Sequence, residues 1–196
     1  MQKLIGTLPD LLNVEMLNAL RKACDDAMDD AIKKPKNSMD REGYRYFIGG
    51  NLRNLAVREF LKSTTTCLRE YLAAPQLFHE QFVIKYQGDA GIFDWHQDGA
   101  YEVDPTPYYT LWLALDDTEK KNGGLEVAQA IPKGIQHHKV DANGDLTFNY
   151  KGPSKTLLLD AGSAIIFHSR VPHRSGPNFL SKPRRAYVSF WHSGEL

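Results

Sequence analysis

The 196-residue sequence has only two cysteines, no long apolar run and no excess of charge of either sign. Each scarcity narrows the field. Cys24 and Cys67 both fall in stretches with helical apolar spacing, which favours buried free thiols over a disulfide framework and fits a reducing compartment. No stretch reaches the length of a membrane-spanning helix, and residues 1–6 lack the apolar core and small-residue cleavage site of a secretion signal. The expectation is a soluble, cytoplasmic protein with no membrane partner. Lys plus Arg equals Asp plus Glu at 24 each, so no global field draws the chain to nucleic acid. Missing too are the Gly-x-Ser-x-Gly elbow, the phosphate-binding P-loop and the dinucleotide fingerprint, which demotes acyl-enzyme and nucleotide chemistry. His79 precedes Glu80 without the second histidine of a metalloprotease helix.

What is present reads as one domain over residues 1–196, with helical support in 1–75 and a β-rich core in 76–196. Val14, Leu17, Leu20, Cys24, Ala27 and Ala31 recur at three- and four-residue intervals, predicting an amphipathic helix that Asn13 caps and that ends near Lys34-Pro35. A second helix is expected over residues 54–72. Between them, residues 33–50 are rich in charge, Gly and Asn and read as a surface loop or a lid. Beyond Pro75 come short β-type runs at 82–86, 91–95, 108–115, 125–129, 156–159, 164–168 and 185–192. Many strands after two helices predict a mainly β sandwich or barrel with helices on one side. Asn122-Gly123-Gly124 and Asn143-Gly144-Asp145 read as hairpin turns, because Asn-Gly supplies positive φ.

Chemistry enters at Trp95-His96-Gln97-Asp98. On an extended segment, residues i and i+2 share a face, so His96 and Asp98 can close on one ion. Two histidines and one carboxylate with open positions opposite is the ligand set of non-haem Fe(II) oxygenases. The third ligand is His168, at the end of an apolar strand, or His173, in a turn flanked by Pro and Gly; the residues alone leave both open. His137-His138 reads as a solvated pair in a polar loop, and His192 as the cap of the last strand. Arg184 and Arg185 begin the final strand, where adjacent side chains face opposite ways, so one of them can point inward as an anchor for a carboxylate.

Four pieces in the right order, Trp95-His96-Gln97-Asp98-Gly99-Ala100-Tyr101, Leu111 to Asp117, Asn122-Gly123-Gly124-Leu125 and His173 to Asn178 leading to Pro183-Arg184-Arg185-Ala186, resemble the phytanoyl-CoA dioxygenase family of Fe(II)- and 2-oxoglutarate-dependent oxygenases. The resemblance implies a double-stranded β-helix, or jelly roll. It implies iron on His96, Asp98 and His173, Arg184 on the distal carboxylate of 2-oxoglutarate, Ser175 and Trp112 beside that cosubstrate, and O2 as the second cosubstrate. Related halogenases lack the carboxylate ligand, so Asp98 favours hydroxylation. The chain departs from the family where a Pro-Gly-Ser-His segment usually follows the Asn-Gly turn: here it reads Ala130-Ile131-Pro132-Lys133-Gly134-Ile135-Gln136-His137.

The substrate expected is a small, polar metabolite, since so short a chain has little material for extra lids. Arg174, Lys85, Tyr101, Tyr108 and Tyr109 are candidates to contact it. The protein is expected to be a monomer or weak homo-oligomer. The alternative is a cupin-like isomerase or sensor that binds a metal through the same three ligands, has no need of Arg184 and consumes no 2-oxoglutarate.

Overall fold

The structure, a computed structural model, describes residues 3–33, 38–41, 44–48, 51–88, 91–102 and 106–194, with 32–33, 38–41 and 44–48 described by backbone alone. Both expected helices form. α1 (Val14–Lys33) starts where the Asn13 side chain accepts the Met16 N–H at 2.8 Å, and α2 (Leu55–Leu68) where Asn54 accepts those of Ala56 and Val57. The second helix stops at Leu68, four residues short of the expected end. Tyr71 and Leu72 nevertheless stay buried, so the apolar signal continues where the helical backbone does not.

Thirteen strands are described: β1 (Ile5–Leu8), β2 (Ser38–Arg41), β3 (Tyr44–Ile48), β4 (Pro75–Lys85), β5 (Phe93–His96), β6 (Tyr108–Ala114), β7 (Leu125–Ala128), β8 (Lys139–Val140), β9 (Leu146–Thr147), β10 (Ser154–Thr156), β11 (Ala164–His168), β12 (His173–Ser175) and β13 (Arg184–Ser193). They form an antiparallel sheet of order β1-β11-β6-β13-β4-β3-β2, a smaller one of order β10-β7-β12-β5, and a β8-β9 ribbon. The two main sheets pack as a jelly roll without closing into a barrel. β6 shows the layering, because every residue of it is buried. Leu111 and Leu113 face α1 and α2 on the outside of the large sheet, while Trp112 and Ala114 face the interior between the sheets.

Four expectations change. Within residues 33–50, the described backbone of 38–41 and 44–48 forms strands that extend the large sheet, where composition had suggested a loop; residues 34–37, 42–43 and 49–50 lie outside the described residues. With β1, these strands make residues 1–75 a contributor to the sheet as well as its helical support. Gly123 has the positive φ anticipated (73°), but the turn is no hairpin, because it carries the chain from the large sheet into the small one. Gly144 (φ 82°) does close a hairpin, between β8 and β9. β10 ends at Thr156, where the strand expected over 156–159 was to begin.

Candidate active site

β5 and β12 lie side by side in the small sheet with His96 directly opposite His173. The chain leaves β5 through a tight turn at residues 98–100 that keeps Asp98 beside both rings. Asp98 Oδ1 is 3.6 Å from His96 Nε2 and 3.4 Å from His173 Nε2, and one ligand atom from each of the three residues lies within 4.8 Å of the others.

The surroundings fit a cation. His96 Nδ1 lies 2.8 Å from the Asp94 carbonyl and His173 Nδ1 3.0 Å from that of Val171. A carbonyl only accepts, so each Nδ1 carries the hydrogen and each Nε2 lone pair is left pointing into the cluster. Thr110 donates its hydroxyl to Asp98 Oδ2 at 2.5 Å, leaving Oδ1 turned to the imidazoles. Burial would raise the Asp98 carboxyl, yet the two imidazoles and the Thr110 hydroxyl hold it below its ordinary value. Burial, with the neighbouring His173, pushes His96 down; for His173 burial also acts downward, but the Asp98 charge and hydrogen bond win and raise it. A carboxylate kept ionised between imidazoles with aligned lone pairs is a donor set suited to Fe(II).

His168 stands apart from this cluster. On β11, Ile165 and Phe167 face the interior, so His168 shares the opposite side with Ile166; its ring packs 5.2 Å from Tyr109 and its Nδ1 accepts the Arg170 N–H. The same alternation separates the arginines of β13. Arg185 points outward to Asp116 and Asp25, whereas Arg184 is 1% exposed, donates through Nη2 to the Gly123 carbonyl at 3.0 Å and lies over the Trp112 ring at 5.3 Å. Position 123 itself suits only glycine, since φ is 73° and a Cβ there would sit 2.5 Å from the Gly176 oxygen. His96, Asp98, His173, Ser175, Trp112 and Arg184 line one cavity of about 460 Å³, counted out to the solvent, and its other walls are largely apolar. Phe93 stacks on His96 at 3.8 Å, and Phe167 lies 4.7 Å from His173.

Other residues fall differently from expectation. His138 is not a solvated group. It is half-buried, its Nδ1 bonded to the Gln136 carbonyl and its Nε2 accepting the backbone N–H of Gln97, while His137 is exposed. Among the candidates for contact with substrate, Arg174 does line the cavity, while pairing with Glu126 at 2.8 Å and lying over Trp95; Lys85 instead donates to the carbonyls of Gly91, Ser175 and Gly176, and Tyr109 faces the helices and donates to the Lys3 carbonyl. Thr110 and Gln97 escaped the sequence reading. A threonine in a strand and a glutamine between two ligands carry no distinguishing signal.

A family model described as phytanoyl-CoA dioxygenase (PhyH) matches residues 7–186. A phytanoyl-CoA dioxygenase of Arabidopsis thaliana is 30% identical over 121 residues, 58% of this chain and 43% of that protein. A methylphosphonate hydroxylase of Gimesia maris is 32% identical over 119 residues, 58% of this chain and 44% of that protein. The matched stretch therefore spans less than half the length of either relative. Of solved structures, EvdO2 of Micromonospora carbonacea var. aurantiaca, crystallised with 2-oxoglutarate, superimposes with a TM-score of 0.75 at 20% identity, covering 97% of this chain and 86% of that one. The likeness extends over both sheets and both helices. No helix among the described residues is long and apolar enough to cross a membrane.

Proposed function

Because this chain belongs to the phytanoyl-CoA dioxygenase family, we propose that it is an Fe(II)- and 2-oxoglutarate-dependent dioxygenase that hydroxylates a C–H bond of a small, polar metabolite. The observation that carries the reading is the cavity shared by His96, Asp98, His173 and the buried Arg184.

Iron bound there, with 2-oxoglutarate and O2, supplies the oxidising chemistry: one oxygen atom goes into the substrate C–H bond, the other into succinate, and CO2 leaves. The protein's own part is to bind, orient and keep dry. His96 and His173 present Nε2 lone pairs held by the Asp94 and Val171 carbonyls, and Asp98 presents Oδ1, its second oxygen occupied by Thr110. Arg184 receives the distal carboxylate of 2-oxoglutarate, its planar guanidinium matching two oxygens at once and steadied by Trp112 and the Gly123 carbonyl. Ser175, two residues from His173 on the same face of β12, offers a hydroxyl to the cosubstrate. Apolar walls from Val83, Phe93, Leu125 and Val188 exclude water from the space between.

Succinate release from 2-oxoglutarate, measured with a panel of small acids and amines, tests the reading. We expect turnover that requires Fe(II). Arg184→Lys replaces a two-pronged anchor by a point charge, a loss of roughly 1.5–3 kcal/mol, so half-saturation by 2-oxoglutarate rises about 10–100-fold. An unchanged half-saturation in that variant would remove Arg184 from the cosubstrate site.

A further inference from the structure

Between the two ligands of the His-x-Asp segment sits Gln97, whose side chain points away from the metal cluster and yet is fully buried, at 0% exposure. A glutamine amide offers two N–H donors and one carbonyl acceptor, and here both donors and the acceptor are engaged, in three bonds. Nε2 donates to the Arg170 carbonyl at 2.6 Å and to the Gly134 carbonyl at 3.1 Å, while Oε1 accepts the Gln136 N–H at 2.7 Å. Its backbone N–H goes to His138 Nε2 at 3.1 Å, and His138 is oriented for this by the Gln136 carbonyl on its Nδ1.

Arg170 lies three residues before His173, on the turn that delivers the third ligand. One amide thus bridges the segment that carries His96 and Asp98 to the segment that carries His173, and ties both to residues 134–138. Two further bonds run alongside: Gly99 N–H to the Ser169 carbonyl at 2.9 Å, and Arg170 Nη1 to the Lys133 carbonyl at 3.1 Å.

From this arrangement we infer that Gln97, with His138, is a positioning residue: it fixes the spacing of the three metal ligands from behind and couples that spacing to the 133–138 loop. This rests on the reading of His96, Asp98 and His173 as metal ligands. The physical demand is specific. Gln97→Glu keeps the shape but replaces the two donors by an acceptor facing the carbonyls of Gly134 and Arg170, so the contact that held the His173 turn becomes repulsive.

The test is binding of Co(II), with the metal alone as probe, measured by calorimetry and by the visible ligand-field absorption of the complex in wild type, Gln97→Glu and His138→Ala. Circular dichroism and thermal denaturation of the metal-free proteins run alongside. We expect Gln97→Glu to weaken binding about 10–100-fold and to alter the absorption, and His138→Ala, which leaves the amide intact, to do the same by about tenfold. Should Gln97→Glu fail to fold, His138→Ala decides alone. Folded variants that bind Co(II) within about twofold of wild type with the same absorption, even at lowered melting temperature, would overturn the inference. Absence of Co(II) binding by the wild type would instead overturn the ligand assignment itself.

Discussion

Three neighbouring residues divide the labour at the centre of the molecule. His96 and Asp98 face inward with their donor atoms aligned, and Gln97 faces outward into a buried polar seam. The inward pair was legible, because spacing of two on an extended segment puts side chains on one face. Its supports were not, since Thr110 and Gln97 act through contacts with residues 12 and 39 positions away along the chain. Alternation also explains why His173 and not His168 joins the cluster: β11 turns Phe167 to the interior and His168 away from it. His173→Ala is accordingly expected to weaken Co(II) or Fe(II) binding by at least ~100-fold, beyond the usual cost of losing a ligand's supporting partner. His168→Ala should leave it unchanged. Calorimetry on the two variants checks this, and the reverse ranking would contradict the assignment.

Among the elements, α1 and α2 hold the outer face of the large sheet and so fix the strands that carry Thr110, Trp112 and Arg184. Phe60 of α2 is wholly buried, with its ring 5.7 Å from Tyr187 of β13 in an edge-on contact. Phe60→Ala leaves a cavity that a twisted sheet closes only in part, and we expect a loss of about 3–5 kcal/mol in urea denaturation. A loss below about 1 kcal/mol would mean that the helix is dispensable to the sheet. Both helices were readable, the first from Asn13 and the apolar spacing that follows it, the second from its apolar spacing. β12 was not, for with three residues it is too short to show a period of two, and its neighbours β5 and β7 are remote in sequence. The Asn122-Gly123-Gly124 turn shows the same boundary. Its positive φ is a local property and was legible, whereas its destination in the other sheet depends on long-range packing.

At the scale of the whole molecule, two open sheets enclose an apolar space in which one charged cluster and one buried guanidinium meet. Burial makes that meeting consequential. Charges surrounded by apolar walls interact more strongly than the same charges in water. The jelly roll itself is shared with proteins only 20% identical, such as EvdO2, so the frame says little about which molecule is oxidised. In the proposed reading, the class of chemistry belongs to His96, Asp98, His173 and Arg184.

The most direct measurement is anaerobic titration of the metal-free protein with Fe(II) and then 2-oxoglutarate, followed in the visible range. No band is expected with Fe(II) alone, and a weak charge-transfer band when the 2-oxo acid is added, absent from Asp98→Ala. A wild-type protein that binds Fe(II) yet gives no band with 2-oxoglutarate would contradict the proposed function and leave a metal-binding jelly roll of another kind.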